Sequence, residues 1–168
     1  LRDGRLKEAL RYLGLAVEIR PGSGDVWCTL ADVQIRLDKT DQAIASLEKA
    51  EKMTSGITRG MVLRQLGRLY TGRGSWLAAG EAYGAASEYP PKRGQAALEA
   101  AKCYYFADKP GGHELGKAMK YIDVAAALIP DHEQIAGWKE KIENARYGPP
   151  QPAGEDGGSF MDFSPELE

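Results

Sequence analysis

The chain has 168 residues, 43% hydrophobic and 27% charged, so it can bury a core and is too apolar to stay unfolded throughout. Its net charge of −2 is uneven: residues 147–168 hold five acids and no base, leaving 22 bases against 19 acids in 1–146. So small an excess argues against a dedicated nucleic-acid binder, and no apolar run approaches the roughly 18–20 residues of a membrane span.

In chain order, "GRLKEALRYLGLAVEIRPGS" places Gly4, Ala9, Leu13, Ala16 and Pro21 along one stretch. The next such stretch carries Asp38, Ala43, Leu47 and Ala50, and the third Gly74, Ala79, Tyr83, Ala86 and Pro91. The fourth carries Ala118, Ile122, Ala125 and Pro130. In each, a small, a large and a small residue follow one another at spacings of four and three. That spacing puts all three on one face of a helix. A second helix precedes three of the four, marked by Trp27, Leu30 and Ala31, then Leu63, Leu66, Gly67 and Tyr70, then Ala97, Ala100, Ala101 and Tyr104. The unit is therefore helix A, turn, helix B, with proline as the stop.

Two residues are inserted around Thr54–Arg59, and five more in the fourth unit, where "DKPGGHELG" (108–116) is expected to absorb them as a loop. Ala97 stands where the second unit has Trp27, which predicts looser packing there. Residues 132–146 set Ile135, Trp138, Ile142 and Ala145 on one face, as an amphipathic cap for the stack. Gly14, Gly80, Gly84 and Gly137 lie inside predicted helices at about 1 kcal/mol each relative to alanine, and predict local softness in the third unit. From 147 onward proline and glycine dominate and the helical period ends, so a flexible acidic tail is expected. Within it Phe160, Met161, Asp162, Phe163 and Leu167 form a hydrophobic-acidic cluster of the docking-peptide kind.

This pattern resembles the tetratricopeptide repeat, a helix-turn-helix unit of about 34 residues. "LGRLYTGRGSWLAAGEAYGAASEYPP" matches it best, and the resemblance covers roughly 1–130. It implies an all-α, right-handed α-solenoid with a C-terminal capping helix. The expected units are a partial first repeat at 1–23, repeats at about 24–57, 60–93 and 94–130, a cap at 132–146 and the tail at 147–168. The first unit supplies only a helix B, so its A partner is expected upstream or on another molecule, and an upstream targeting segment is compatible with the sequence. The open first unit and the tail are the expected places for any oligomer contact.

No catalytic constellation stands out. Asp25 and Asp32 lie two turns apart on one helix face, which does not flank a scissile bond. His113 and His132 lack metal-ligand partners at suitable spacing. "KPGGHELGK" (109–117) departs from the phosphate-loop order and follows no strand. Cys28 and Cys103 are two isolated cysteines without a CxxC, which argues against a disulfide framework and fits a reducing, cytoplasmic setting. No enzyme activity, cofactor or metal is expected.

Binding is the better prospect. In the resembled family the outward face of the A helices lines a concave groove. Here that face holds Asp25, Cys28, Asp32 and Arg36, then Met61, Arg64, Arg68 and Thr71, then Gln95, Leu98, Lys102 and Tyr105. Arg64, Arg68 and Lys102 are expected to converge on an acidic partner peptide, beside apolar surface from Leu98 and Tyr105. Some family members clamp a C-terminal acidic peptide with a Lys, Asn, Asn, Lys, Arg set. Cys28, Asp32 and Gln65 occupy the first three of those positions, which disfavours that ligand. The implied role is a non-catalytic interaction scaffold whose tail docks on itself. The alternative is a subunit or accessory assembly domain of a larger multiprotein machine.

Overall fold

The computed structural model describes residues 2–108 and 113–148. The tail cluster and part of the 108–116 loop lie outside the described residues. The rest is eight helices without a strand among them: α1 (Arg2–Ile19), α2 (Gly24–Arg36), α3 (Thr40–Met53), α4 (Gly56–Gly72), α5 (Trp76–Ala86), α6 (Arg93–Ala107), α7 (Glu114–Leu128) and α8 (Gln134–Tyr147). Each helix packs chiefly on its neighbours in sequence. That serial packing is what a solenoid requires.

The pairs α2–α3 and α4–α5 turn by the same device. Asp38 and Gly74 both have positive φ, at 58° and 70°. After each, an amide bonds back over the helix end: Lys39 N–H to the Gln34 carbonyl, and Ser75 N–H to the Tyr70 carbonyl, both at 2.9 Å. This is the Schellman closure, which needs a left-handed residue. Glycine enters that region freely and aspartate tolerates it. The two residues inserted in the third unit lengthen helix α4 at its start, since only Thr54 and Ser55 separate it from α3.

The four-three spacing has its predicted meaning. Ala43, Ala79 and Ala118 are all 0% exposed, and Leu47, Tyr83 and Ile122 between them and the next alanine are buried. The interior is therefore a line of close helix contacts, each filled by one large side chain.

Three expectations are corrected. The fourth unit is not loose: α6 and α7 make the most extensive contact of any pair, because Ala97, Ala100 and Ala101 let the helices approach closely. The helical glycines of α5 are contact points for rings of the following unit. A Cβ on Gly80 would lie 3.1 Å from the Tyr104 ring, and one on Gly84 would lie 2.5 Å from the Tyr121 hydroxyl. On α8, Ile135 and Ile142 are buried as predicted, but Ala145, near the end of the helix, is exposed.

Candidate functional site

A cavity of about 750 Å³ lies on the inner wall, lined by α2, α4, α6 and the segment leading into α8. The repeat places it there. The B helices α3, α5 and α7 are packed between successive A helices, so the A helices keep one free face each, and these faces lie side by side. Direct bonds cross between them: the Gln65 amide of α4 donates to Asp32 of α2 at 2.8 Å, and Lys102 of α6 donates to Gln134 of α8 at 2.8 Å.

Of the residues singled out in the sequence, the cavity brings together Asp25, Cys28 and Asp32 from α2, Met61, Arg64 and Arg68 from α4, and Gln95 and Leu98 from α6. It does not include Arg36, Thr71, Lys102 or Tyr105. Arg36 is exposed at the end of α2. Thr71 turns inward, its hydroxyl donating to the Gly67 carbonyl at 2.8 Å and lying 3.7 Å from the Cys103 sulfur.

Lys102 does not converge with the arginines. Its ammonium donates to Glu99 at 2.9 Å and to Gln134, and lies over the Trp138 ring. Tyr105 belongs to a ring cluster with Phe106 and Trp138 at centroid distances of 5.5 and 5.7 Å. Leu98 is only 2% exposed and serves the core more than the wall. The exposed apolar contribution comes from Met61, 56% exposed.

Residues not singled out complete the site. Tyr83 reaches the cavity from a B helix because Gly67 has no side chain: a Cβ there would lie 2.8 Å from the ring. Glu99 adds an acid from α6, and Lys92, His132, Glu133 and Gln134 close the far end. Helical spacing on α6 already put Glu99 one turn from Gln95; nothing local placed the α7–α8 connection against the groove.

The charges are mixed: Asp25 and Asp32 come from α2, Arg64 and Arg68 from α4, and Lys92, Glu99 and Glu133 from α6 and the segments leading into α6 and α8. The arginines are unsatisfied. Among the described residues Arg64 Nη1 is buried without a hydrogen-bond partner, and neither arginine forms an ion pair. An orphaned buried donor carries a desolvation cost of about 1–3 kcal/mol.

Burial, reinforced by Asp25 and Asp32, pushes the Cys28 thiol up, so it stays protonated. Burial also raises the Cys103 thiol. The Tyr83 hydroxyl is pushed up to about 12, first by burial and then by Glu99 and Cys103, with Thr71 and Arg68 opposing. No group of three His, Cys, Asp or Glu side chains among the described residues is placed to hold a metal ion. No helix among them is long and apolar enough to cross a membrane.

Residues 1–54 match the family model described as tetratricopeptide repeat. No curated protein matches the chain significantly. Several solved structures share the fold. The crystal structure of MamA aligns at a TM-score of 0.64 and 16% identity, over 88% of this chain and 82% of that one. The pilF protein of Pseudomonas aeruginosa aligns at 0.59 and 20%, over 87% and 64%. A chain of the APC/C hetero-tetramer Cut9–Hcn1 aligns at 0.51 and 15%, over 86% and 28%.

Proposed function

We propose that this chain, a tetratricopeptide-repeat solenoid, is a non-catalytic interaction scaffold that holds a segment of a partner protein in its concave groove. The observation that carries this reading is the buried Arg64 donor without a partner on the wall of that groove. A carboxylate accepts two parallel hydrogen bonds from one guanidinium, and Arg68 adds a second cation one helical turn away. Met61 and the Tyr83 ring offer apolar surface beside them. Asp25, Asp32, Glu99 and Glu133 line the same cavity. An acidic run would meet these acids, so the favoured ligand is a single carboxylate among apolar residues.

Displayed libraries of short random peptides, panned on the intact chain, should enrich such sequences. The double change Arg64→Glu and Arg68→Glu should weaken the selected peptides about tenfold or more, with the thermal midpoint retained. Undiminished affinity in a folded double variant overturns the groove reading.

The subunit reading is favoured by a different observation. On α1, Tyr12, Leu15 and Ile19 are 60, 47 and 78% exposed. Three exposed apolar side chains along one repeat helix suit a neighbouring protein element. If changing Leu15 and Ile19 to glutamate leaves the assembly state and solubility of the chain as it occurs in its cell unaltered, this second reading fails.

A further inference from the structure

The groove asks for one carboxylate flanked by apolar side chains, and the chain carries such a segment itself. Of its five tail acids, Glu155 and Asp156 are adjacent, and Glu166 and Glu168 are two apart. Asp162 alone has no acid within three residues, and Phe160, Met161 and Phe163 surround it. We propose that the segment Phe160–Phe163 is the resident occupant of the groove, with the Asp162 carboxylate bonded to the Arg64 guanidinium on its wall. The proposal rests on the groove reading above and names what fills the groove before a partner does.

Reach permits it. The His132–Gln134 segment lines one end of the cavity, and α8 leads away from there over 14 residues. That is a length of about 21 Å. The twelve residues 148–159 can span about 40 Å when extended, about twice the length of α8. Proline and glycine in this stretch suit a leash. Charge complements at one point: Asp162 is an isolated acid, and Arg64 and Arg68 line the cavity without an ion pair among the described residues. A short leash supplies an effective concentration near the millimolar range, so weak intrinsic contacts are enough for occupancy. An external partner must then bring a segment of the same chemistry and displace the tail. Binding in trans is thereby penalised by the fraction of chains whose groove is filled.

Methionine methyl resonances test this in the intact chain. Met61 lies in the groove, Met161 in the tail, and Met53 and Met119 elsewhere on α3 and α7. With methyl-labelled methionine, Asp162→Asn and Phe163→Ala should each move the Met61 signal and leave Met53 and Met119 in place. The shift should survive dilution of about a hundredfold, as an intramolecular contact must. Asp162→Asn should also tighten a library-selected peptide about tenfold.

An unmoved Met61 signal in both tail variants overturns the proposal. So does a shift that vanishes on dilution, which makes a second copy the occupant. The two readings separate through Arg64→Glu: if the selected peptide still depends on Arg64 while the tail variants change nothing, the groove stands and only the tail assignment falls. If the peptide ignores Arg64, the groove reading falls first.

Discussion

The second and third repeats solve one packing problem with different chemistry. Between α2 and α3 the small residue is Ala31 and the large one Leu47, both in one buried cluster. Between α4 and α5 the corresponding residues are Gly67 and Tyr83. The spacing is the same, but one methyl group has been removed on one side and a branched chain exchanged for a ring on the other. The ring reaches further and brings a hydroxyl to the groove, which Leu47 does not. Tyr104 against Gly80 and Tyr121 against Gly84 repeat the exchange in the following contacts. The second repeat adds a buried polar tie instead, the Ser46 hydroxyl donating to Gln34 at 2.7 Å. Tyr83, Tyr104 and Tyr121 are thus each seated where a glycine faces the ring.

The largest expected effect breaks that match. In Gly67→Ala the new Cβ would lie within 2.9 Å of three ring atoms of Tyr83. Overpacking of this kind costs about 1–3 kcal/mol, against a helix-propensity gain of about 1 kcal/mol. Denaturant unfolding should show a net loss. Adding Tyr83→Leu rebuilds the pair of the second repeat and should recover most of it. If the double variant is no more stable than Gly67→Ala alone, ring and glycine are not a coupled pair.

A second effect separates the same regions by pH. Burial pushes the Tyr83 and Tyr104 hydroxyls up to about 12. Tyr70 is also raised to about 12, by burial and by its 2.6 Å hydrogen bond to Glu48. The unfolded chain gives up these protons near pH 10. Their contribution to stability is thus complete below about pH 10 and lost as pH rises toward 12. Helices α2 and α3 contain no tyrosine. Thermal midpoints should fall steeply above pH 10, and Tyr83→Phe should flatten the fall. An equal slope in the variant would mean that the ring ionises without unfolding cost.

Much of the fold was legible because its signal is local. Ala43, Leu47 and Ala50 announce a buried face by spacing alone, and the third and fourth units repeat the statement, whereas Ala9, Leu13 and Ala16 of the first are only half-buried. What a small residue faces is not local. Gly80 and Gly84 read as soft spots because Tyr104 and Tyr121 lie in later helices, and the loose reading of Ala97 fails for the same reason. The groove follows this division. Helical spacing put Asp32, Arg64 and Arg68 on the faces that line it. It failed for Lys102, whose partner Gln134 belongs to another helix. Nor did it show that His132 and Glu133 close one end.

The smallest effect has the opposite sign and comes from a glycine with nothing opposite it. Gly137 lies inside α8, and no atom falls within 4 Å of the position its Cβ would take. Its backbone is helical, so alanine enters without strain and restricts only the unfolded chain. Gly137→Ala should therefore raise stability by about 0.5–1 kcal/mol. The comparison with Gly67→Ala keeps the same substitution within a helix and changes what stands across the gap. Helix propensity favours alanine at both positions by a similar amount. Only contact with Tyr83 can reverse the sign at Gly67, so two unfolding curves that shift in the same direction would remove the ring's seat from the account of this fold.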